Sequence, residues 1–230
     1  GWPSDIKEES IEGFDTYGFE PAAVINFLAL LGWNPGTEQE IFSLEELIEA
    51  FDPERIHKAG ARFDFDKALW FNHQYIQRLE YSDVQERLMS YAAENKIDIK
   101  DVDLEGIFNL LKPRLHVLKD VFTMGKYFFS DDLQFDTAEI NKKWQPQAKE
   151  VIEKLVSSSS DGNLFNDPVT ASQSVKDMIN ASGIKMGNIM PVLRAALTGQ
   201  IQGPDIFEIA KILGPQKTVE RFRRMGNWNL

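Results

Sequence analysis

One segment near the N-terminus constrains the fold most, because it contains a helix, a forced stop and the start of a second helix. Pro21 to Leu31 is an apolar run with proline at the first helical position, and Gly32 closes it. Ser43 and Glu46 stand three residues apart, which is the spacing of a capping box at a helix N-terminus. The pattern predicts two short consecutive helices joined by a turn.

Helical patterns continue along the rest of the chain. Apolar residues recur at helical spacing, prolines and glycines mark the interruptions, and no strand-like alternation lasts more than a few residues. The sequence therefore predicts a mainly α protein without internal repeats. The predicted helices span Asp66–Leu79, a segment after a second capping box at Ser82 and Gln85, Asp101–Leu111, Thr137–Val156 with a break at Pro146, Val169–Ala181, Met186–Leu197, Pro204–Leu213 and Pro215–Met225. The polar run Ser157–Asn163 is predicted to be a linker.

Helical spacing also predicts which side chains are buried. Trp70, Phe71 and Tyr75 could form a stacking platform, but Trp70 and Tyr75 do not share a helix face, so packing in the core is favoured. The helix after Ser43 has an apolar face that we expect to point inward and an acidic face that we expect to be solvated: Leu44, Leu47, Ile48 and Phe51 on the first, Glu45, Glu46 and Glu49 on the second.

The formal net charge of −11 argues against a nucleic-acid partner, since phosphate binding depends on Lys and Arg. The excess acidity is local, because the first 55 residues hold 13 acids and two bases while the other 175 residues are neutral. Residues 168–230 carry eight bases against four acids and include the basic run Arg221–Arg224. An RNA-binding surface toward the C-terminal side therefore stays open.

Motifs for catalysis are absent from the sequence. His57, His73 and His116 do not have metal-ligand spacing, and no phosphate-binding glycine loop or nucleophile elbow occurs. There are no cysteines, which excludes disulfides and thiolate chemistry. No apolar run is long enough to span a bilayer and the N-terminus is unlike a secretory signal, so we expect a cytoplasmic protein without a bound cofactor or metal.

Basic residues beside forced bends are the best candidates for binding. Lys112 and Arg114 flank Pro113, which must bend or end the helix before it. Arginine can make paired hydrogen bonds to unpaired RNA bases and stack on them, and Arg194 offers the same chemistry. The predicted helix start at Gly203–Pro204 would supply free N–H groups for an acceptor. Taken singly, each of these is a surface arginine or an ordinary helix cap more often than a residue that reads RNA.

Four blocks in a fixed order resemble the bacterial-type glutamyl-tRNA synthetases, which are class I aminoacyl-tRNA synthetases. The blocks are Gly18–Gly36, Glu40–Leu47, Phe63–Ile76 and Leu193–Gly214. The resemblance implies a nearly all-α, tRNA-binding portion of a ligase that attaches glutamate to its tRNA with ATP. It further implies a stem-contact region at residues 1–96 and two helical anticodon-binding subdomains at residues 97–160 and 161–230.

The resemblance also implies roles for single residues. Arg114 would contact the third anticodon base and favour cytosine, and Arg194 with the helix start that follows it would hold the other bases. Arginine rather than glutamine at position 114 favours a glutamate-specific enzyme over one that also charges glutamine tRNA. With the basic residues near these positions, the candidate anticodon-binding residues are Lys112, Arg114, Lys176, Arg194, Gly203, Pro204 and Ile206.

The catalytic motifs of that family do not occur here. We therefore expect a monomer that binds the tRNA for glutamate but not DNA or membranes, and that is catalytically inactive by itself. ATP and Mg²⁺ are expected only for a full-length enzyme. The first ten residues fit the family poorly, which suggests a lineage-specific insertion or an artificial boundary of the sequence. The alternative is a helical protein-interaction module whose acidic N-terminal third is the docking face.

Overall fold

The computed structural model describes residues 13–57, 60, 62–159 and 164–228, and α-helices dominate this part of the chain. Among the described residues, the one strand-like pairing is an isolated antiparallel bridge between Trp33 and Ile56. The prediction of a mainly α protein is confirmed. The helices are α1 Phe14–Tyr17, α2 Pro21–Gly32, α3 Leu44–Ala50, α4 Phe65–Ile76, α5 Tyr81–Glu94, α6 Leu104–Leu111, α7 Asp120–Met124, α8 Lys126–Phe129, α9 Thr137–Lys143, α10 Pro146–Ser158, α11 Pro168–Ser182, α12 Met186–Thr198, α13 Ile206–Leu213 and α14 Pro215–Gly226.

The chain forms two compact units. Residues up to Glu94 and the segment Lys112–Thr123 make the first, and Asn95–Leu111 with the residues from Met124 onward make the second. The chain thus leaves the first unit after α5, contributes α6 to the second, and returns for the turn that contains Arg114. The division into three parts at residues 96 and 160 stays a prediction. In the described ranges, no helix is both long and apolar enough to cross a membrane.

The core of the first unit lies between α2 and α4. Phe27 of α2 packs with Ala68 and Phe71 of α4, and all three side chains are buried. Asn26 is buried beside them, where its Oδ1 accepts hydrogen bonds from the Phe42 N–H and the Tyr75 hydroxyl, each at 2.9 Å. A polar side chain in such a core needs hydrogen-bond partners. These two bonds therefore hold the segment before α3 against α2 and α4.

The predicted capping box at α3 is confirmed. The Ser43 Oγ accepts from the Glu46 N–H at 3.1 Å, and a Glu46 carboxylate oxygen accepts from the Ser43 N–H at 2.7 Å. The second predicted box, with Ser82 as the N-cap, is wrong because α5 begins at Tyr81, two residues before the start that this box requires. The Asp83 carboxylate, at the third position of α5, accepts from the Glu80 N–H at 2.7 Å, so a carboxylate inside the first turn supplies the bond at this helix start.

Two burial predictions are wrong. Leu44, Ile48 and Phe51 are exposed, because a helix of seven residues turns only Leu47 toward the small core it meets. Trp70 is also exposed by 39%, since it lies beside the face of α4 that packs on α2. The acidic face of α3 is solvated as expected: Glu45, Glu46 and Glu49 are exposed.

Arg221 is a buried residue of the second unit and joins several of its segments by hydrogen bonds. Its side chain is only 2% exposed, and its guanidinium donates to the carbonyl oxygens of Leu197 and Tyr127. The same guanidinium donates to the Asp131 carboxylate at 2.9 Å, and Lys217 pairs with that carboxylate at 3.1 Å. Of the basic run Arg221–Arg224, Arg221 is therefore not available to RNA, whereas Arg223 and Arg224 are exposed. Arg221 faces inward because its position on α14 falls on the buried stripe of that helix.

The ion pair between Asp131 and Arg221 should make the free energy of unfolding depend on pH. Hydrogen bonding by Arg221 holds the pKa of Asp131 below its ordinary value. A lowered folded-state pKa gives stability that is present above the unfolded-state pKa and lost as pH falls through the folded-state pKa. Below about pH 4, we expect the urea midpoint of unfolding to fall. The fall should correspond to a loss of under ~1 kcal/mol in the free energy of unfolding, since Asp131 is largely exposed. Urea titrations between pH 6 and pH 3 would measure this.

Asp131→Asn is the matched control, because it removes the titrating group and keeps the shape of the side chain. Its stability should fall less than that of the wild type over the same acidic range. Equal pH profiles for the two proteins would contradict the role given to Asp131.

Candidate nucleic-acid interface

The turn that carries Arg114 is braced by two side chains at the end of α4, His73 within the helix and Gln77 directly after it. Residues Lys112–Arg114 form a 3-10 turn after α6, where Pro113 ends the regular helix. Gln77 donates from Nε2 to the Lys112 carbonyl at 2.6 Å, and His73 Nδ1 lies 2.7 Å from the Leu115 carbonyl oxygen. These bonds hold the backbone on both sides of Arg114, so the turn is a fixed support for its side chain.

A third brace extends the support by one residue. Asn72 is fully buried in α4, and its Nδ2 donates to the His116 carbonyl at 2.6 Å. Its Oδ1 accepts from the Glu20 N–H at 2.7 Å, at the start of α2. A buried side-chain amide with both ends bonded is rigid, and here it ties the turn to α2 and α4 together.

The Arg114 side chain itself is exposed. Within the described ranges, no residue accepts a hydrogen bond from its guanidinium or pairs with it. Lys112, in contrast, is half-buried and its Nζ lies 4.0 Å from a Glu80 carboxylate oxygen. An arginine with its donors directed to solvent on a fixed turn can make the paired hydrogen bonds that recognise a base or a phosphate.

Arg194 differs from Arg114 in its surroundings. It is half-buried on α12, and its Nε donates to the Pro204 carbonyl at 3.1 Å while Nη1 donates to the Ile201 carbonyl at 3.3 Å. Its guanidinium is therefore engaged with the backbone of the segment that follows α12. Gly203 lies in that segment with φ +148° and is exposed.

The predicted helix start at Pro204 is wrong by two residues. Helix α13 begins at Ile206, and the Asp205 carboxylate accepts from the N–H groups of Phe207 and Glu208 at 2.8 and 3.2 Å. A carboxylate that already caps these two N–H groups leaves fewer donors at this helix start for an anion. Pro204 and Ile206 are buried, whereas Gln200, Gln202, Gly203 and Asp205 are exposed.

Lys176 lies on α11 and is exposed, without a residue partner in the described part of the chain. It shares the second unit with Arg194, whereas Arg114 and Lys112 belong to the first. The seven candidate residues thus form two groups, one in each unit.

Sequence reasoning missed the braces of the Arg114 turn. Asn72 and His73 lie on α4 and Gln77 directly follows it, where the helical pattern predicts a helix but no bond to a distant carbonyl. The available signal was a cluster of polar side chains beside fully buried positions of an apolar helix, since such groups need partners. Their partners lie 35 to 44 residues away, which no local pattern reveals.

Two family profiles of known proteins match this chain. The family profile of the anticodon binding domain matches residues 75–225. The profile of the class I tRNA synthetases (E and Q), catalytic domain, matches residues 7–70. That second match begins inside the ten N-terminal residues, which lie outside the described part of the chain.

Individual relatives point to the same group. The glutamate–tRNA ligase of Porphyromonas gingivalis (strain W83) is 36% identical over 223 residues, which cover 97% of this chain and 44% of the relative. The crystal structure of a glutamate tRNA ligase from Elizabethkingia meningosepticum in complex with its amino acid matches 93% of this chain and 42% of that one, with a TM-score of 0.83 and 32% identity. The glutamate-tRNA synthetase of Elizabethkingia anophelis matches with a TM-score of 0.81 at 32% identity, over 94% of this chain and 42% of its own.

The helical fold and the profile match over residues 75–225 show the class of protein: the chain belongs to the anticodon binding domain family. Its relatives are glutamate–tRNA ligases, which confirms the predicted resemblance to glutamyl-tRNA synthetases. The chain spans less than half the length of the relatives that it matches.

Proposed function

We propose that this chain is the tRNA-binding, anticodon-recognising part of a glutamate–tRNA ligase. The observation that carries the proposal is Arg114, whose guanidinium faces solvent on a turn braced by Gln77 and His73. Unpaired loop bases are the usual targets of sequence-specific RNA recognition, and a pre-positioned arginine binds them without paying to order its support.

The partner in this proposal is the tRNA for glutamate, and Arg114 selects cytosine at the third anticodon position. Arg194, Lys176 and the 200–205 segment serve the other anticodon bases, while Lys112 adds charge beside Arg114. The chain acts in the cytoplasm as a monomer. In the complete ligase, ATP and Mg²⁺ activate glutamate. The described residues contain no group of three His, Cys, Asp or Glu side chains suited to a metal ion.

The Arg114→Gln variant tests the anticodon assignment. We expect it to bind a transcript of the tRNA for glutamate about tenfold or more weakly, because a paired contact to a base is worth about 1–3 kcal/mol. It should also lose the preference for cytosine over other bases at the third anticodon position. Both quantities follow from binding titrations at one fixed salt concentration, since phosphate contacts make affinity depend on salt.

Arg62→Gln is the matched control, because it removes the same charge from an exposed position of the same unit. It should keep the base preference and lose little affinity. The assignment fails if Arg114→Gln and the base change both leave binding untouched. Salt-sensitive binding to basic proteins, without preference among tRNAs, would instead favour the acidic docking module.

Catalysis offers a separate test. The chain by itself should give no glutamate-dependent exchange between ATP and pyrophosphate, with or without the tRNA. The full-length relative from Porphyromonas gingivalis is the positive control for the assay. Exchange by the purified chain above the no-enzyme background would contradict the assignment of catalysis to residues outside it.

A further inference from the structure

We infer that Arg194 and Thr198 are positioning residues, which fix the backbone of the 200–205 segment so that its exposed groups can meet the anticodon. The inference rests on the proposed tRNA-binding function and gives Arg194 a different task from that of Arg114. Arg114 presents its guanidinium to solvent, whereas the guanidinium of Arg194 is directed at main-chain carbonyls of its own unit.

The guanidinium of Arg194 clasps the segment at two points. Nε donates to the Pro204 carbonyl and Nη1 to the Ile201 carbonyl, so one planar group holds both ends of a four-residue stretch of backbone. Gly203 lies beside the stem of the same side chain, since a Cβ built on it would be in ordinary van der Waals contact with the Arg194 Cδ, at 3.6 Å. Two carbonyls held by one rigid fork restrict the segment far more than a single bond would.

Thr198 fixes the beginning of the same segment. Its Oγ1 accepts from the Gln200 N–H at 3.1 Å and lies 2.9 Å from the Arg194 carbonyl oxygen, to which it can donate. Thr198 is only 6% exposed, so it offers almost no surface to RNA. The Asp205 cap of α13 closes the far end. The segment is thus held at its start, its middle and its end by side chains of the protein.

Substitution of Arg194 by lysine distinguishes a positioning role from a role as a positive charge. Arg194→Lys keeps the positive charge, but a single flexible ammonium cannot reproduce the two-point clasp. If Arg194 served mainly as a charge for phosphates, lysine would preserve tRNA binding. If it positions the segment, lysine fails much as alanine does. Thr198→Val makes the complementary change, since it removes a buried hydroxyl without altering charge.

The test measures the free protein first. Backbone ¹⁵N relaxation of Ile201, Gln202 and Asp205 should give order parameters near 0.85 in the wild type and below about 0.6 in Arg194→Lys and Thr198→Val. Arg223→Ala, which removes an exposed arginine from α14, should leave these values unchanged. Affinity for a transcript of the tRNA for glutamate should then fall about tenfold in both positioning variants.

Each result decides a different point. Unchanged order parameters in both variants would overturn the positioning role, as would full tRNA affinity in a variant whose segment has become mobile. A wild type that binds no tRNA would defeat the proposed function, while the order parameters would still decide whether Arg194 and Thr198 hold the segment. Amide spectra outside residues 199–206 identify a variant that has lost its fold, and the other variant then carries the test.

Discussion

Replacing Arg221 with methionine should lower the free energy of unfolding by about 3 to 5 kcal/mol, because buried carbonyl acceptors left without a donor cost about 1–3 kcal/mol each. The Leu197 and Tyr127 carbonyls would lose their partner, and the Ser130 carbonyl would lose a longer bond of 3.3 Å. Asp131 would suffer less, since it is largely exposed and keeps Lys217 at 3.1 Å. Urea unfolding followed by far-UV circular dichroism would measure the change.

The control is Arg223→Met, which removes the same charge from an exposed position two residues along α14. Such a surface change should stay within about 0.5 kcal/mol. Arg221→Lys provides an intermediate case, because an ammonium can reach fewer of the carbonyls. Equal unfolding midpoints for Arg221→Met and Arg223→Met would show that the buried guanidinium contributes nothing specific.

Gly199→Ala should destabilise the second unit by about 3 kcal/mol or more, for two reasons that act together. Gly199 ends α12 with φ +81°, a left-handed conformation that costs residues with a Cβ about 1–2 kcal/mol. An alanine Cβ would also lie 2.4 Å from the Gln134 backbone oxygen, so the main chain would have to shift. Thermal and urea unfolding would both report the loss.

Gly183→Ala separates the two reasons. Gly183 ends α11 in the same left-handed conformation, with φ +72°, but an added Cβ there would meet no atom within 4 Å. Its alanine variant should lose only about 1 kcal/mol. The difference between the two variants therefore measures the close approach to Gln134. If both lose the same amount, steric contact with Gln134 contributes nothing to the loss at Gly199.

Helix boundaries followed from local chemistry to a large extent. The prolines that begin α2, α10, α11 and α14 and the glycine that ends α11 act within their own turn, so the sequence shows them directly. The errors at α5 and α13 have one cause. Several side chains near each start could cap the helix, and local pattern does not say which carboxylate reaches the free N–H groups.

The side-chain environments of the arginines could not be read in the same way. Arg114, Arg194 and Arg221 all look like available basic residues in the sequence, yet the first faces solvent, the second holds a neighbouring segment and the third is buried. The partners of Arg221 at Tyr127 and Asp131 lie 94 and 90 residues away. Local periodicity carries no information over such separations.

The sequence by itself determined the helical class, most helix ends and the family, because each depends on residues close together or on blocks in a fixed order. Only the tertiary structure decided which basic residue remains available for binding. That property depends on where distant carbonyls and carboxylates come to lie, and a guanidinium that satisfies them inside the protein has fewer donors left for a partner.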